Sequence, residues 1–468
     1  MWRQLYTLLY LLALPPVLIR QWLRGRREPA YRRDPLGRFG RAPRSVPGAI
    51  WIHAVSTGEV QAAAPLVRRL RQRHPRRPIL MTVTTAGGRE RAEALFDGEA
   101  TVTWLPWDLP WTQAAFLRRT RPRALLIMET ELWPNLLAAC GQAGVPVMLV
   151  NARLSARSAR GYGRLPGPAR AMLADLHRVL CQDEATAERF RALGMAPERM
   201  EVTGSLKFDP LLPVDLAERV AGVRARLGRD RSLLVMASTH EDEEARLLAA
   251  FAPLLRRHPR WRLVLVPRHP DRFDAVWRLC RDSGVEAARW SAASIPETAS
   301  LVLVDAMGVL LEICGAAELV FVGGSLVPRG GHNPVEPAIQ GVPVLIGPHG
   351  FNFEAINAAF REAGALEQVA DATELAERCE TLLADEPERR RRGLAARQVV
   401  AARRGALEQV LDRVDALLRD WEHCPLSTSR ASGPAEAPGQ GARAAGNGRA
   451  ALARGQCRDQ PSSSPSVV

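Results

Sequence analysis

Lysine is almost absent. Of the 64 cationic residues one, Lys207, is a lysine and the rest are arginines. The chain also lacks any paired-cysteine signature. Its seven cysteines (140, 181, 280, 314, 379, 424 and 457) are scattered, odd in number, and include no CxxC pair or Cys/His cluster. That excludes a disulfide framework and a zinc site, and implies reduced thiols in a cytosolic setting. The middle of the chain has little excess charge. The net charge is +14, but residues 1–44 hold ten arginines and two acids, and residues 425–468 hold five arginines and two acids. A nucleic-acid binder carries its basic stripe on the folded domain, so this distribution argues against nucleic acid as a partner. A basic segment beside an apolar one suits an anionic membrane surface. Long apolar runs are missing too. The longest uncharged stretch near the N-terminus, between Arg3 and Arg20, has sixteen residues. As a helix it reaches about 24 Å, against a bilayer core of about 30 Å. Pro15 and Pro16 are expected to kink or shorten it. Arginines follow the apolar run and no small-residue cleavage site is present, which predicts an uncleaved anchor or interfacial helix with the rest of the chain in the cytoplasm.

From residue 49 onward short apolar runs alternate with amphipathic stretches. Residues 49–55, 78–84, 124–130, 146–151 and 178–182 read as buried strands, with helices such as 59–73 between them. A second set, 232–238, 262–267, 300–305, 318–324 and 343–347, follows a break near 204–215. Strand–helix alternation of this kind predicts parallel sheets covered on both faces, here an α/β fold of two Rossmann-like lobes. The expected organisation is an anchor and basic segment at 1–44, a first lobe at 45–210, a second lobe at 211–424, and a disordered tail at 425–468. The tail is rich in Ser, Pro, Gly, Ala and Arg and has too few apolar residues to offset ordering entropy.

Ligands of such sheets bind beyond the carboxyl ends of the strands, so those loops are where chemistry belongs. Glu59 follows the first strand at a helix start. It reads equally as a residue favoured by the helix dipole and as a general base. Glu129 and Glu131 follow another strand directly, where two carboxylates are costly without partners. Lys207, near the lobe boundary, is within reach of a phosphate across the cleft; a lone lysine amid arginines suggests selection for a compact ammonium. In the second lobe Pro267, Arg268 and His269 follow a strand, Met307, Gly308 and Val309 follow the next, and a glycine-rich turn leads into Asn333-Pro334-Val335-Glu336. There Asn333 is expected to cap a helix with Pro334 in its first position, aiming N–H groups at a phosphate, with Glu336 accepting from ribose hydroxyls.

The stretches HAVSTGE (53–59), METELWPN (128–135), NARLSARSARGY (151–162), TGSLKFD (203–209), ASTHEDEE (237–244), VPRHP (266–270), FVGGSLVPRGGHNPVEP (321–337) and GPHGFNF (347–353) occur in an order that resembles the Kdo (3-deoxy-D-manno-octulosonic acid) transferases of lipopolysaccharide synthesis. The resemblance runs to about residue 420. It implies the two-lobed GT-B glycosyltransferase fold, CMP-Kdo as donor, a lipid A precursor (lipid IVA) as acceptor, the cytoplasmic face of the inner membrane as location, and no metal or organic cofactor. By the same motifs Glu59 stands where the family has its general base, and Glu129 and Lys207 where it has groups that stabilise the transition state. Pro267 to His269, Met307 to Val309 and Asn333 to Glu336 fall in loops that contact CMP. The chain departs from the family at Thr57, where Val is usual, and at Thr85-Ala86-Gly87-Gly88, where Thr-Pro-Thr-Gly is usual. It also departs at Val309, where a glutamate is usual, so one side-chain contact to CMP is absent while backbone contacts there survive. The alternative is another membrane-associated GT-B enzyme with a UDP-sugar donor.

Overall fold

The computed structural model describes residues 1–26, 28–42 and 47–422. The predicted disordered tail, which holds Cys457, lies outside the described residues, as does Cys424. The other five cysteines are buried and unpaired.

Two sheets carry the fold, each of seven parallel strands among the described residues. The first contains β1 (Ile50–His53), β2 (Ile79–Val83), β3 (Thr101–Trp104), β4 (Ala124–Met128), β5 (Val147–Ala152), β6 (Arg178–Cys181) and β7 (Met200–Val202), in the order β3-β2-β1-β4-β5-β6-β7. The second contains β8 (Ser232–Thr239), β9 (Trp261–Pro267), β10 (Ala287–Arg289), β11 (Leu301–Leu303), β12 (Leu319–Val322), β13 (Val344–Ile346) and β14 (Leu366–Gln368), in the order β10-β11-β9-β8-β12-β13-β14. Strands β1, β2, β4 and β5 are buried along their whole length, because helices cover both faces and leave no polar side. In each sheet chain order reverses beside the first strand, between β1 and β4 and between β8 and β12. A crevice opens at such a point, because the helices leaving the two strands run to opposite faces.

The sequence reading placed everything from 211 to 424 in the second lobe, and here the structure differs. The final helix, Ala406–Glu422, returns to the first lobe. Leu407, Val410, Leu411, Val414, Leu417 and Leu418 form its apolar stripe and join the core of β1, β2 and β4. Asp209 fixes the crossing by accepting from the N–H groups of Gly405 and Leu407, each at 2.9 Å. Arg73, on the helix Thr57–Arg73, pairs with Asp412 at 2.9 Å and Asp415 at 2.6 Å.

The N-terminal helix spans Trp2–Arg24 and runs through Pro15 and Pro16 instead of ending there. Both prolines are exposed, so the carbonyls deprived of a backbone partner remain open to solvent or a polar interface. One side of the helix docks on the first lobe: Leu14, Tyr10 and Leu11 pack on Trp107 and Leu109, and the Asn135 side-chain amide donates to the Thr7 hydroxyl at 3.0 Å. Leu5, Leu8, Leu9, Leu12, Ile19 and Trp22 are exposed.

Candidate active site

The chain leaves β1 through Val55 and enters a helix at Thr57, with Ser56 as its cap. Glu59, in the first turn, folds back. Its carboxylate accepts from the Val55 N–H at 2.8 Å and from the Ser56 hydroxyl at 3.0 Å. Both readings of this residue therefore meet in one geometry: the side chain closes a cap and also ends up at the mouth of the crevice. Partial burial, with the negative charges of Glu129 and Glu131 adding to it, pushes its carboxyl up to about 7; the two hydrogen bonds act in the opposite direction.

Glu129 stands directly after β4, the neighbour of β1, with a φ of 55°. A non-glycine residue in this left-handed region costs about 1–2 kcal/mol, so the surrounding structure holds it there. Its N–H donates to the Val150 carbonyl at 3.0 Å. Its carboxylate meets the Lys207 ammonium at 3.4 Å. Lys207 lies in a short 3-10 turn, Leu206–Phe208, whose first N–H is accepted by the buried Asn151 side chain at 3.0 Å. Its Nζ also lies 5.0 Å from the centroid of the Phe353 ring, a second-lobe residue, so the only lysine faces both lobes.

Between the lobes is a cleft of about 420 Å³. Lys207, Pro267, Arg268, Met307, Gly308, Asn333 and Glu336 line it, with Gly58, Arg68 and Arg91 from the first lobe. Arg268 follows β9 and its N–H donates to the Thr239 carbonyl at 2.9 Å. Burial lowers the pKa of its guanidinium, opposed by the charge of Glu336; burial raises that of Glu336, opposed by Arg268 and Arg91. Gly308 has a φ of 83° and no atom stands within 4 Å of where a Cβ would be, so this wall is open backbone.

The geometry departs from the sequence reading in three places. The helix expected to start at Pro334 is only Val335–Ile339, with Pro334 as its cap. Asn333 is not the cap; its side-chain oxygen accepts from the Val335 N–H at 3.1 Å, which leaves that N–H unavailable to a phosphate. Pro334 and Val335 are buried and do not line the cleft, nor do Val309 and His269; His269 is exposed, with its ring edge-on to His240 at 5.3 Å. Glu59 and Glu129 are not on the cleft wall themselves, but their neighbours Gly58 and Lys207 are. Sequence reasoning missed Arg91, Asn151, His240, His332 and Phe353. All but Arg91 lie inside the quoted motifs; Arg91 sits on the helix Ala86–Leu95 and only folding brings it to Arg268 and Glu336.

Two doubly wound lobes, a cleft at the carboxyl ends of both sheets and a last helix that crosses back define a GT-B fold. The solved UDP-GlcNAc 2-epimerase of Neisseria meningitidis bound to UDP-GlcNAc shares this architecture with a TM-score of 0.54, covering 79% of this chain and 100% of that one at 12% identity. A family model described as 3-deoxy-D-manno-octulosonic-acid transferase (kdotransferase) matches residues 34–210. The 3-deoxy-D-manno-octulosonic acid transferase of Haemophilus influenzae is 38% identical over 88% of this chain and 98% of its own length. That of Bordetella pertussis is 38% identical over 90% of this chain and its full length. The chain belongs to the 3-deoxy-D-manno-octulosonic acid transferase family and is a glycosyltransferase.

Proposed function

We propose that this enzyme moves Kdo from CMP-Kdo to a hydroxyl of a lipid A precursor, lipid IVA, at the cytoplasmic face of the inner membrane. The observation that carries the reading is Glu59: a carboxylate with its pKa near 7, beside a Glu129–Lys207 pair, at the mouth of a cleft whose far wall holds Arg268. A base poised near the working pH is what removal of an alcohol proton needs.

In this mechanism the Glu59 carboxylate takes the acceptor's hydroxyl proton as that oxygen bonds to the anomeric carbon of Kdo. The bond from that carbon to the CMP phosphate oxygen breaks on the opposite face, so the configuration inverts. Charge gathers on the departing phosphate, where Lys207 and Arg268 stabilise it. Glu129 holds the Lys207 ammonium in place and stabilises the transition state through it. The open backbone at Met307 and Gly308, with Asn333 and Glu336, contacts the nucleotide, and Pro267 lines the cleft beside Arg268.

The N-terminal helix supports the membrane reading. It is long and apolar enough to cross a bilayer by length and composition. Its docking through Leu14 and its exposed leucines favour a helix lying in the membrane surface, with Arg20 and Arg24 toward acidic head groups.

The test is product formation from CMP-Kdo and a tetraacylated lipid A precursor, followed by mass. The wild-type protein should give a Kdo-bearing lipid, unaffected by EDTA, and Glu59→Gln almost none. A folded wild type that yields no product with CMP-Kdo but turns over a UDP-sugar would replace this donor assignment.

A further inference from the structure

Where strand order reverses in the second sheet, two histidines meet. His240 follows β8 and His332 lies in the loop after the adjacent β12. Their rings stack with centroids 5.0 Å apart and planes 4° from parallel, and their Nε2 atoms are 2.8 Å apart. At that distance one Nε2 donates and the other accepts, so the pair holds one proton between those two atoms and each satisfies the other. The chain is built to permit this approach. Gly324 has a φ of 68°, and a Cβ there would stand 3.2 Å from the His240 ring and 3.3 Å from the His332 ring. Glu243, fully buried, fixes both loops by accepting from the N–H groups of His240, Gly324, Ser325 and Leu326 at 2.7 to 3.0 Å.

The charged groups around the pair are cationic. Arg268, Arg329 and Arg272 face His240 and Arg268 also faces His332; the His269 ring beside both has its own pKa lowered by burial and is neutral at pH 7 and above. The nearby carboxylates are already engaged: Glu243 by those four N–H groups, Glu244 by Arg272 at 3.0 Å, and Glu241 by Arg272 at 3.4 Å. Burial, then these cations, hold His240 down to about 4 and His332 to about 3. The resting pair is therefore neutral, in a positive field, with His332 and Arg268 both on the cleft wall.

We propose that the His240–His332 pair is an oxyanion site for the donor, opened by the arrival of a phosphate or carboxylate oxygen and closed upon itself in the donor's absence. The oxygen parts the two Nε2 atoms, the accepting one takes a proton from solvent, and both then donate to the anion. No bond in the donor breaks in this step. The negative charge of the ligand offsets the repulsion that keeps the second proton away from the empty pair. With the donor's carboxylate as occupant the pair selects an acidic sugar over a neutral one; with the phosphate as occupant it holds the nucleotide. This rests on CMP-Kdo being the donor, which carries both oxyanions.

The test is calorimetric titration of the wild-type protein with CMP and, separately, with CMP-Kdo without acceptor, in buffers of different ionisation enthalpy between pH 7 and 8.5. In that range the terminal phosphate of CMP, whose second pKa is about 6, is a dianion, so any proton taken up goes to the protein. The expected result is uptake approaching one proton per ligand, with affinity falling by up to about tenfold per pH unit. Uptake with both ligands assigns the phosphate; uptake with CMP-Kdo alone assigns the carboxylate. His332→Gln and His240→Gln should each abolish uptake and flatten the pH dependence while circular dichroism stays that of the folded enzyme; Glu59→Gln, which removes the other group at the cleft that titrates near 7, should leave the uptake in place. Tight binding of both ligands with no uptake and a flat profile overturns the inference and leaves the donor reading intact. Failure of the wild type to bind either ligand overturns the donor reading and this inference with it.

Discussion

An ordinary glutamate is fully ionised at neutral pH, so a base of that kind leaves no mark on a pH profile above 6. Glu59 is different. With its carboxyl at about 7, roughly one-tenth is ionised at pH 6 and nine-tenths at pH 8. As general base it works in the ionised form, so kcat/KM should rise with pH, falling by about tenfold for each unit below 7. The causes of the shift make the prediction sharper. Glu129→Gln removes a negative neighbour that raises the value, so the acid limb should move to lower pH. Ser56→Ala removes a hydrogen bond that lowers it, so the limb should move to higher pH. Glu59→Gln should erase the limb and cost about 10²–10⁴ in rate. The linkage to stability has a definite sign. The folded-state pKa lies above the unfolded 4.5, so the favourable contribution is complete below 4.5 and lost as pH rises through 7. The wild-type Tm should thus fall relative to that of Glu59→Gln between pH 5 and 8. The assay is single-turnover transfer from pH 5.5 to 9 with product measured by mass. A limb that persists unmoved in Glu59→Gln, or Ser56→Ala and Glu129→Gln moving it the same way, would refute the assignment.

Lys207→Ala should lower kcat by about 10²–10³; Lys207→Arg, which keeps the charge, should recover only part of it if a compact ammonium is what the Glu129–Phe353 niche accepts. Unimpaired turnover in Lys207→Ala would remove the lysine from the mechanism. Glu129→Gly should be as inactive as Glu129→Ala yet more stable by about 1–2 kcal/mol, since glycine relieves the strain of a φ of 55° and alanine does not; equal denaturation midpoints would show that the backbone there is not strained. Glu243→Ala strips the acceptor from four N–H groups and should lower stability by more than the ~1.5–3 kcal/mol of one hydrogen bond to a charged group, read from thermal unfolding. A Tm within a degree of wild type would mean that those N–H groups find other partners.

The strands that sequence reading located and those it missed separate cleanly by position. β1, β2, β4, β5, β6, β8, β9, β11, β12 and β13 are interior strands, and their apolar runs announce burial on both faces. β3, β7, β10 and β14, which it did not locate, are the four edges of the two sheets. They are three or four residues long and partly exposed; apart from Thr-Val-Thr-Trp in β3, their composition does not distinguish them from loop. The final helix shows the same limit in another form. Its apolar stripe was legible, but a stripe does not say which lobe it covers; the answer came from Asp209 and Arg73, more than 190 residues away along the chain.

By itself the sequence determined the two parallel-sheet lobes, the apolar N-terminal segment, and the strand-end loops that hold Glu59, Glu129, Lys207 and Arg268. Periodicity, strand-end position and motif order are local properties, and each can be read within a few residues. Only the tertiary structure decided that Glu59 is crowded by two other carboxylates, that Lys207 faces both lobes, that Arg91 joins Arg268 and Glu336, and that His240 and His332 touch. Those are relations between residues about 70 to 245 positions apart. A pKa near 7 or a hydrogen bond between two imidazoles depends on burial and charge at distances of a few ångströms, which chain order does not specify.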